Sequence, residues 1–268
     1  MMFLWRSLVC LLLAVCFVGG GNTAQAQYSN GIPVLLYHHV SDDKTELPEL
    51  TVTTAEFERQ MALLHGAGFS TISPSQLNAY MEEKTVSLPA KPILITFDDG
   101  YDDNYFNAFP VLKRFGFSSV IFMVGVNIDR EKRLSSQQIR EMSDAGIFFG
   151  SHSETHRNMT TLSAGELRHE VKTIKRKLEA ITQRDTELFS YPYGYYNISA
   201  WEAVELAGYK GSVTVLPGLN KPDRDNQFLL RRIPIYNDTD FNALFLLLDQ
   251  NQPKTKLLQY SPVLKKIG

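Results

Sequence analysis

The strongest constraint on this chain is an alternation. Short, continuously apolar runs recur along it, separated by longer amphipathic segments with their own start and stop signals. Residues 34–37, 69–72, 93–97, 120–124, 147–149, 188–191 and 213–216 read as strands, with 229–235 as one more. The run at 93–97 is too uniformly apolar for a strand with one wet face, which suits a sheet covered on both sides. The segments between read as helices. Thr53-Thr54-Ala55-Glu56 is a capping box ahead of Phe57, Met61 and Leu64 on one face, with a stop near Gly66 and Gly68. Ser73-Pro74-Ser75-Gln76 starts a second helix with proline at its first position. Further helices are expected over 104–115, 136–145 and 199–207, and Ser163-Ala164-Gly165-Glu166 caps a long one reaching residue 181. Its Lys172, Lys175, Arg176 and Lys177 read as a solvated face. Repeated βα units with buried strands imply a parallel sheet sheathed in helices. About seven such units in a single domain favour an α/β fold of the distorted (β/α) barrel kind, whose chemistry collects at the C-terminal ends of the strands.

The first 26 residues stand apart from that pattern. Arg6 precedes an apolar core from Leu8 to Val18, and Ala24-Gln25-Ala26 has the small-x-small form of a signal cleavage site. The core of about 11 residues falls short of the ~20 that a spanning helix needs. The expectation is an export signal over 1–26, a single domain over 27–268 with no room for a second behind the barrel, and a periplasmic or secreted monomer with no stable membrane span after cleavage; a retained anchor is the alternative. Both cysteines, Cys10 and Cys16, fall in the signal, so the mature chain has neither a disulfide nor a thiolate ligand. Any metal has to be held by histidine and carboxylate. A net charge of −2 with no basic block argues against nucleic acid as a partner.

Two polar clusters sit where apolar runs stop. Asp98-Asp99-Gly100 follows the run ending at Phe97, and Ser151-His152-Ser153-Glu154-Thr155-His156 follows the run at 147–149. Histidines four apart can present two nitrogens to one ion, and with one carboxylate they leave coordination positions open for water and substrate. Adjacent aspartates also serve as turn formers and helix-start acids, and Asp102 and Asp103 read that way. Asp98 and Asp99 differ because they emerge directly from the apolar run. One carboxylate on a metal and the other beside the attacking water would divide the roles of ligand and general base. The Tyr191-Pro192-Tyr193-Gly194 turn and His38 also follow apolar runs, so four separate strands deliver polar groups to the same end.

Thr96-Phe97-Asp98-Asp99-Gly100, with Tyr101, Asp103, Asn104 and Tyr105 after it, closely resembles the first motif of the polysaccharide deacetylases, the NodB-homology group or carbohydrate esterase family 4. Ser151 to His156 resembles the second motif and Tyr191 to Gly194 the third, so the resemblance runs over about 33–235. It implies a distorted (β/α) barrel, a divalent metal (usually zinc, with cobalt or nickel as alternatives), and hydrolysis of N- or O-acetyl groups on an acetylated polysaccharide. Residue by residue it makes Asp98 the general base, Asp99, His152 and His156 the metal ligands, and the Tyr193 backbone N–H a donor to the oxyanion. Tyr191, Tyr193 and Tyr195 are candidates for stacking on sugar rings, with barrel packing as the alternative. Two departures stand out. The arginine usual two residues before the third-motif proline is replaced by Ser190, and Arg232 is the candidate to supply that charge from another strand. The usual Leu-x-His near the C-terminus is missing, since no histidine follows His169. Val34-Leu35-Leu36-Tyr37-His38-His39-Val40 resembles the first strand of the branch that deacetylates poly-β-1,6-N-acetylglucosamine in biofilms, which makes His38 the general acid and leaves His39 structural. The resemblance implies an N-deacetylase of an extracytoplasmic glycan. The alternatives are a deacetylase of xylan, peptidoglycan or a lipid-linked sugar, and an inactive glycan-binding protein on the same scaffold.

Overall fold

The computed structural model describes residues 31–43 and 47–248; the expected export signal over 1–26 lies outside the described residues. Seven parallel strands form the centre: β1 (Ile32–Tyr37), β2 (Pro92–Phe97), β3 (Val120–Met123), β4 (Phe148–Ser151), β5 (Leu188–Ser190), β6 (Gly211–Pro217) and β7 (Leu230–Pro234). Each pairs with the next, and β1 pairs with both β2 and β7, which closes the barrel. Around it lie α1 (Thr54–Gly66), α2 (Pro74–Met81), α3 (Phe109–Phe115), α4 (Ser136–Asp144), α5 (Ala164–Thr182), α6 (Ile198–Leu206) and α7 (Phe241–Leu248). The starts of α2, α4 and α5 are reciprocal capping boxes on Ser73, Ser135 and Ser163, and Thr53 accepts from the Glu56 N–H at the start of α1.

The barrel has the expected strand number with a different membership. The run at 69–72 yields only Ser70–Thr71, which pairs with Pro92 and Ile93 at the start of β2 and stays outside the ring. β1 takes the β2 edge itself, from Val34 opposite Leu94 to Tyr37 opposite Phe97. The seventh place is filled by β7. The helix expected over 104–115 is split into a π-type turn, Asn104–Ala108, and α3, as suits a segment containing Pro110, which has no N–H to donate.

Strand alternation explains what reaches the mouth. Ile32, Val34, Leu94, Val120, Phe122, Leu188, Val213 and Leu230 form one apolar cluster, and Ile72, Leu77 and Met81 around α2 pack into it. The residues between them, such as Leu35, Ile93, Ile95 and Ile121, belong to a second cluster with Phe57, Met61 and Leu64 of α1, Ile139 and Met142 of α4, and Ile174 and Leu178 of α5. Side chains along a strand alternate with period two. Continuing the first set by even steps reaches His38 beyond β1, Thr96 and Asp98 on and beyond β2, Ser190 on β5 and Arg232 on β7. On β4 the same face carries Gly150, where a Cβ would lie 2.4 Å from the Phe122 ring, and His152 follows two residues later. One parity rule therefore aims six polar side chains into one end of the barrel.

Candidate active site

At that end Asp98 and Arg232 make a buried, bidentate ion pair. Arg232 Nη1 donates to Asp98 Oδ1 and Nη2 to Oδ2, both at 2.7 Å. Arg232 is wholly inaccessible to solvent. Its Nε donates to the Thr214 carbonyl at 2.8 Å, and its Nη2 to Ser190 Oγ at 3.1 Å. Ser190 Oγ in turn donates to Asp98 Oδ2 at 3.2 Å. Burial alone would raise the Asp98 pKa; the Arg232 guanidinium, followed by His152, outweighs burial and holds the carboxyl well below the usual carboxylate range. Asp98 is thus an ionised carboxylate fixed in one orientation, with its charge balanced from β7, two strands away across β1.

Beside it, Asp99, His152 and His156 converge. One ligand atom from each lies within 4.8 Å of the other two. His152 Nε2 and His156 Nε2 are 3.2 Å apart, and Asp99 Oδ1 is 3.7 Å from the first and 3.5 Å from the second. His152 Nδ1 contacts the Ser190 carbonyl at 2.8 Å; a carbonyl only accepts, so Nδ1 is the donor there and Nε2 is the nitrogen that faces the cluster. Burial, with His152 beside it, pushes the His156 pKa down to about 4, so that ring is neutral at neutral pH. Tyr101 donates from its hydroxyl to Asp99 Oδ2 at 3.1 Å, which leaves Oδ1 facing the imidazoles. The guanidinium of Arg133 lies 4.0 Å from the Tyr101 ring centroid. Two imidazoles and one carboxylate with a fixed outer oxygen fit a divalent ion of the zinc type.

The local backbone is shaped for this. Asp99, Ser153, His156 and Tyr193 all have positive φ, at 75°, 63°, 58° and 60°. Non-glycine residues in that region cost on the order of 1–3 kcal/mol each. Four of them around one cavity mark a place where geometry has been set against local preference.

His38 lies within electrostatic reach of Asp98, Asp99, Arg232 and His152, and burial lowers its pKa against the pull of the two carboxylates. Its carbonyl accepts from Asn104 Nδ2 at 2.9 Å. The next residue, His39, points away: its Nδ1 meets Asp103 Oδ2 at 2.6 Å. Asp103 is therefore not the helix-start acid expected from its position, since no side-chain cap bond is present there; it anchors the His38–Val40 segment instead.

The tyrosine turn divides by exposure. Tyr193 is 56% exposed and its ring sits 4.6 Å from that of His156, so this residue is on the rim of the site. Tyr195 is equally exposed and lines a groove with Asn158, Thr160, Gly194 and Tyr196. Tyr191 corrects the sequence expectation. Its side chain is completely buried against Phe189 and Tyr196, with its hydroxyl near the Phe228 carbonyl, and is packing rather than a sugar platform. The sequence reading also passed over three contributors. Tyr101 is already part of the first motif, whereas the supporting roles of Ser190 and Thr214 depend on strands whose register the sequence does not give.

Comparison with known proteins bears on this geometry. The pattern that defines the polysaccharide deacetylases matches residues 85–212. YxkH of Bacillus subtilis (strain 168), provisionally named a polysaccharide deacetylase, is 35% identical over 205 residues, covering 76% of this chain and 71% of that one. The chain belongs to the polysaccharide deacetylase family. The deacetylase is also 26% identical to the poly-beta-1,6-N-acetyl-D-glucosamine N-deacetylase of Escherichia coli (strain K12), over 71% of this chain and 34% of that one, so it spans about a third of that enzyme. Among solved structures, the deacetylase PplD of Streptococcus pyogenes in complex with acetate superposes with a TM-score of 0.76, covering 82% of this chain and 98% of that one at 24% identity, a likeness of fold. Among the described residues of the deacetylase, no helix is long and apolar enough to cross a membrane.

Proposed function

We propose that this polysaccharide deacetylase is an exported, divalent-metal-dependent N-deacetylase acting on a β-linked N-acetylglucosamine polymer. The observation that carries the reading is the pairing of an ionised, immobilised Asp98 with the Asp99–His152–His156 cluster beside it. A divalent metal held by Asp99, His152 and His156, zinc by its donor set, would polarise the acetyl carbonyl and the attacking water. Asp98 takes the proton from that water, and Arg232 and Ser190 hold its carboxylate in register. The backbone N–H of Tyr193 donates to the oxyanion that forms on the carbonyl, in a turn closed by Gly194 N–H to the Tyr191 carbonyl at 2.8 Å. His38, at the end of β1 beside Asp98, gives a proton to the leaving amine. Tyr193 and Tyr195 supply aromatic faces to the sugars, and the groove beside them, about 380 Å³, falls in the size range of small-ligand sites.

The glycan is proposed on two supports. One is the name of the Escherichia coli relative. The other is the acid on the first strand, where the sequence resembles the branch with that specificity. Export rests on the sequence of the first 26 residues.

A substrate panel tests the reading. Acetate release is measured from β-1,6- and β-1,4-linked N-acetylglucosamine oligomers and from acetylxylan, with zinc present and after chelation, for wild type and Asp98→Asn. Zinc-dependent release from the β-1,6 oligomers, lost in Asp98→Asn, is the expected result. Preferential release from another member of the panel would overturn the glycan assignment. Metal binding without acetate from any substrate would favour an inactive glycan-binding protein.

A further inference from the structure

The loop that carries both histidines is gripped from behind by α5. Glu170 and Lys177 are seven residues apart, two turns along one face of that helix. Glu170 is buried, and both its oxygens are used by a single residue: Thr155 N–H donates to Oε2 at 2.8 Å and Thr155 Oγ1 to Oε1 at 2.6 Å. Lys177 donates to Oε1 of the buried Glu154 and to the Gly125 carbonyl. Lys177 keeps a solvated side chain, 41% exposed, while its amine reaches back to these two acceptors. The other side of the loop is held by main chain, with Gly125 N–H donating to the Ser153 carbonyl at 3.1 Å and Val126 N–H to the Glu154 carbonyl at 2.8 Å. A side chain at Gly125 would displace the Glu154 carboxylate, because a Cβ there would lie 2.1 Å from Glu154 Oε2.

We propose that Glu170 and Lys177 are positioning residues for the metal site: through Thr155 and Glu154 they hold His156 in the strained conformation that lets it meet His152 and Asp99. The proposal rests on the metal reading above. Its physical basis is that Glu154 and Thr155 are the two residues immediately ahead of His156, which sits at φ 58°. Fixing the N–H and hydroxyl of Thr155 fixes the residue that leads into His156, whose own N–H donates to Ser153 Oγ at 2.9 Å. Neither Glu170 nor Lys177 is among the three metal-ligating residues, so their influence passes through the loop. A buried carboxylate satisfied by one threonine is a costly way to dock a helix, since an apolar side chain of similar volume does so at least as well. What the carboxylate adds is direction.

The test measures Zn2+ affinity by competition with a chromophoric chelator, and the absorption spectrum of the Co2+-loaded protein, for wild type, Glu170→Gln, Lys177→Met, Thr155→Val and Thr155→Ser. Melting of the metal-free proteins is followed alongside. Thr155→Val and Glu170→Gln are expected to weaken Zn2+ binding about 10- to 100-fold and to shift the Co2+ spectrum, as outer partners of metal ligands do. Thr155→Ser, which keeps the hydroxyl, is expected to retain both. Altered melting with unaltered Zn2+ affinity in Thr155→Val would reduce the contacts to ordinary packing and overturn the proposal. The two threonine variants carry the test if Glu170→Gln fails to fold. A wild type that binds no Zn2+ would refute the metal reading itself, whereas a tight-binding wild type with equally tight variants would refute the positioning role alone.

Discussion

Arg232→Met is the substitution that most directly probes how the site is built. The side chain is fully buried and makes two 2.7 Å bonds to Asp98, so its removal leaves a buried carboxylate without its cation. Breaking one side of such a pair costs about 3–5 kcal/mol. The pH dependence carries the sharper signature. In wild type the folded-state pKa of Asp98 is depressed, so its contribution to stability is present above the unfolded value of about 3.9 and is lost as pH falls through the lower folded value. Without Arg232, burial dominates and the folded pKa moves above the unfolded one. The sign then reverses, and the variant becomes less stable as pH rises through the new value. Urea denaturation of wild type and Arg232→Met at several pH values between 5 and 8 measures this. Wild type is expected to lack an Asp98-linked slope over that window, while the variant loses stability towards the alkaline end. The double variant Arg232→Met/Asp98→Asn removes both charges and is expected to recover a substantial part of the loss, because contacting residues are not additive. A variant within about 1 kcal/mol of wild type with no added pH dependence, or a double variant showing simple additivity, would refute the account of Asp98 as a carboxylate held ionised by Arg232.

Other outcomes follow from single contacts. Tyr101→Phe removes the hydroxyl that fixes the outer oxygen of Asp99 and is expected to weaken Zn2+ affinity by about tenfold or more, read by chelator competition; unchanged affinity would remove Tyr101 from the site. His38→Asn is expected to lower kcat by about 10²–10⁴-fold. A donor must be protonated, and burial lowers the His38 pKa, so wild-type kcat/KM should fall as pH rises through a value below the ordinary ~6.5; a variant that keeps that limb would exclude His38 as the acid. Tyr193→Gly keeps the backbone N–H and relieves a residue at φ 60°, so it is expected to raise KM for oligomers through loss of the ring while kcat is largely kept. Loss of kcat with unchanged KM would instead give the side chain a part in the chemical step.

The sequence made the strand ends legible because each barrel strand is short, apolar and bounded by turn residues, and because a parity of two carries directly from Leu94 to Asp98 and from Leu230 to Arg232. The same reasoning misplaced the run at 69–72. Its Phe69 and Ile72 flank the polar Ser70 and Thr71, and whether β1 pairs with it or with β2 is decided by long-range register. Tyr191 and Tyr193 show the limit for side chains. They are two apart in one turn, yet Pro192 and the positive φ of Tyr193 send one ring into the core and the other to the rim. Asp103 was legible as an acid ahead of a helix, but its partner His39 is 64 residues distant, beyond the reach of any local signal.

The origin of the cation opposite Asp98 has a consequence for biosynthesis. Asp98 leaves the ribosome with the first part of the barrel, whereas Arg232 arrives on its last strand. Until that strand docks between β1 and β6, the carboxylate has no guanidinium to keep it charged once buried, and the barrel has no seam. Completion of the wall and charging of Asp98 are thus one event. A chain interrupted before residue 232 would carry Asp99, His152 and His156 and still lack the cation that holds Asp98 ionised, so under the proposed mechanism the order of synthesis withholds hydrolysis until the barrel is shut.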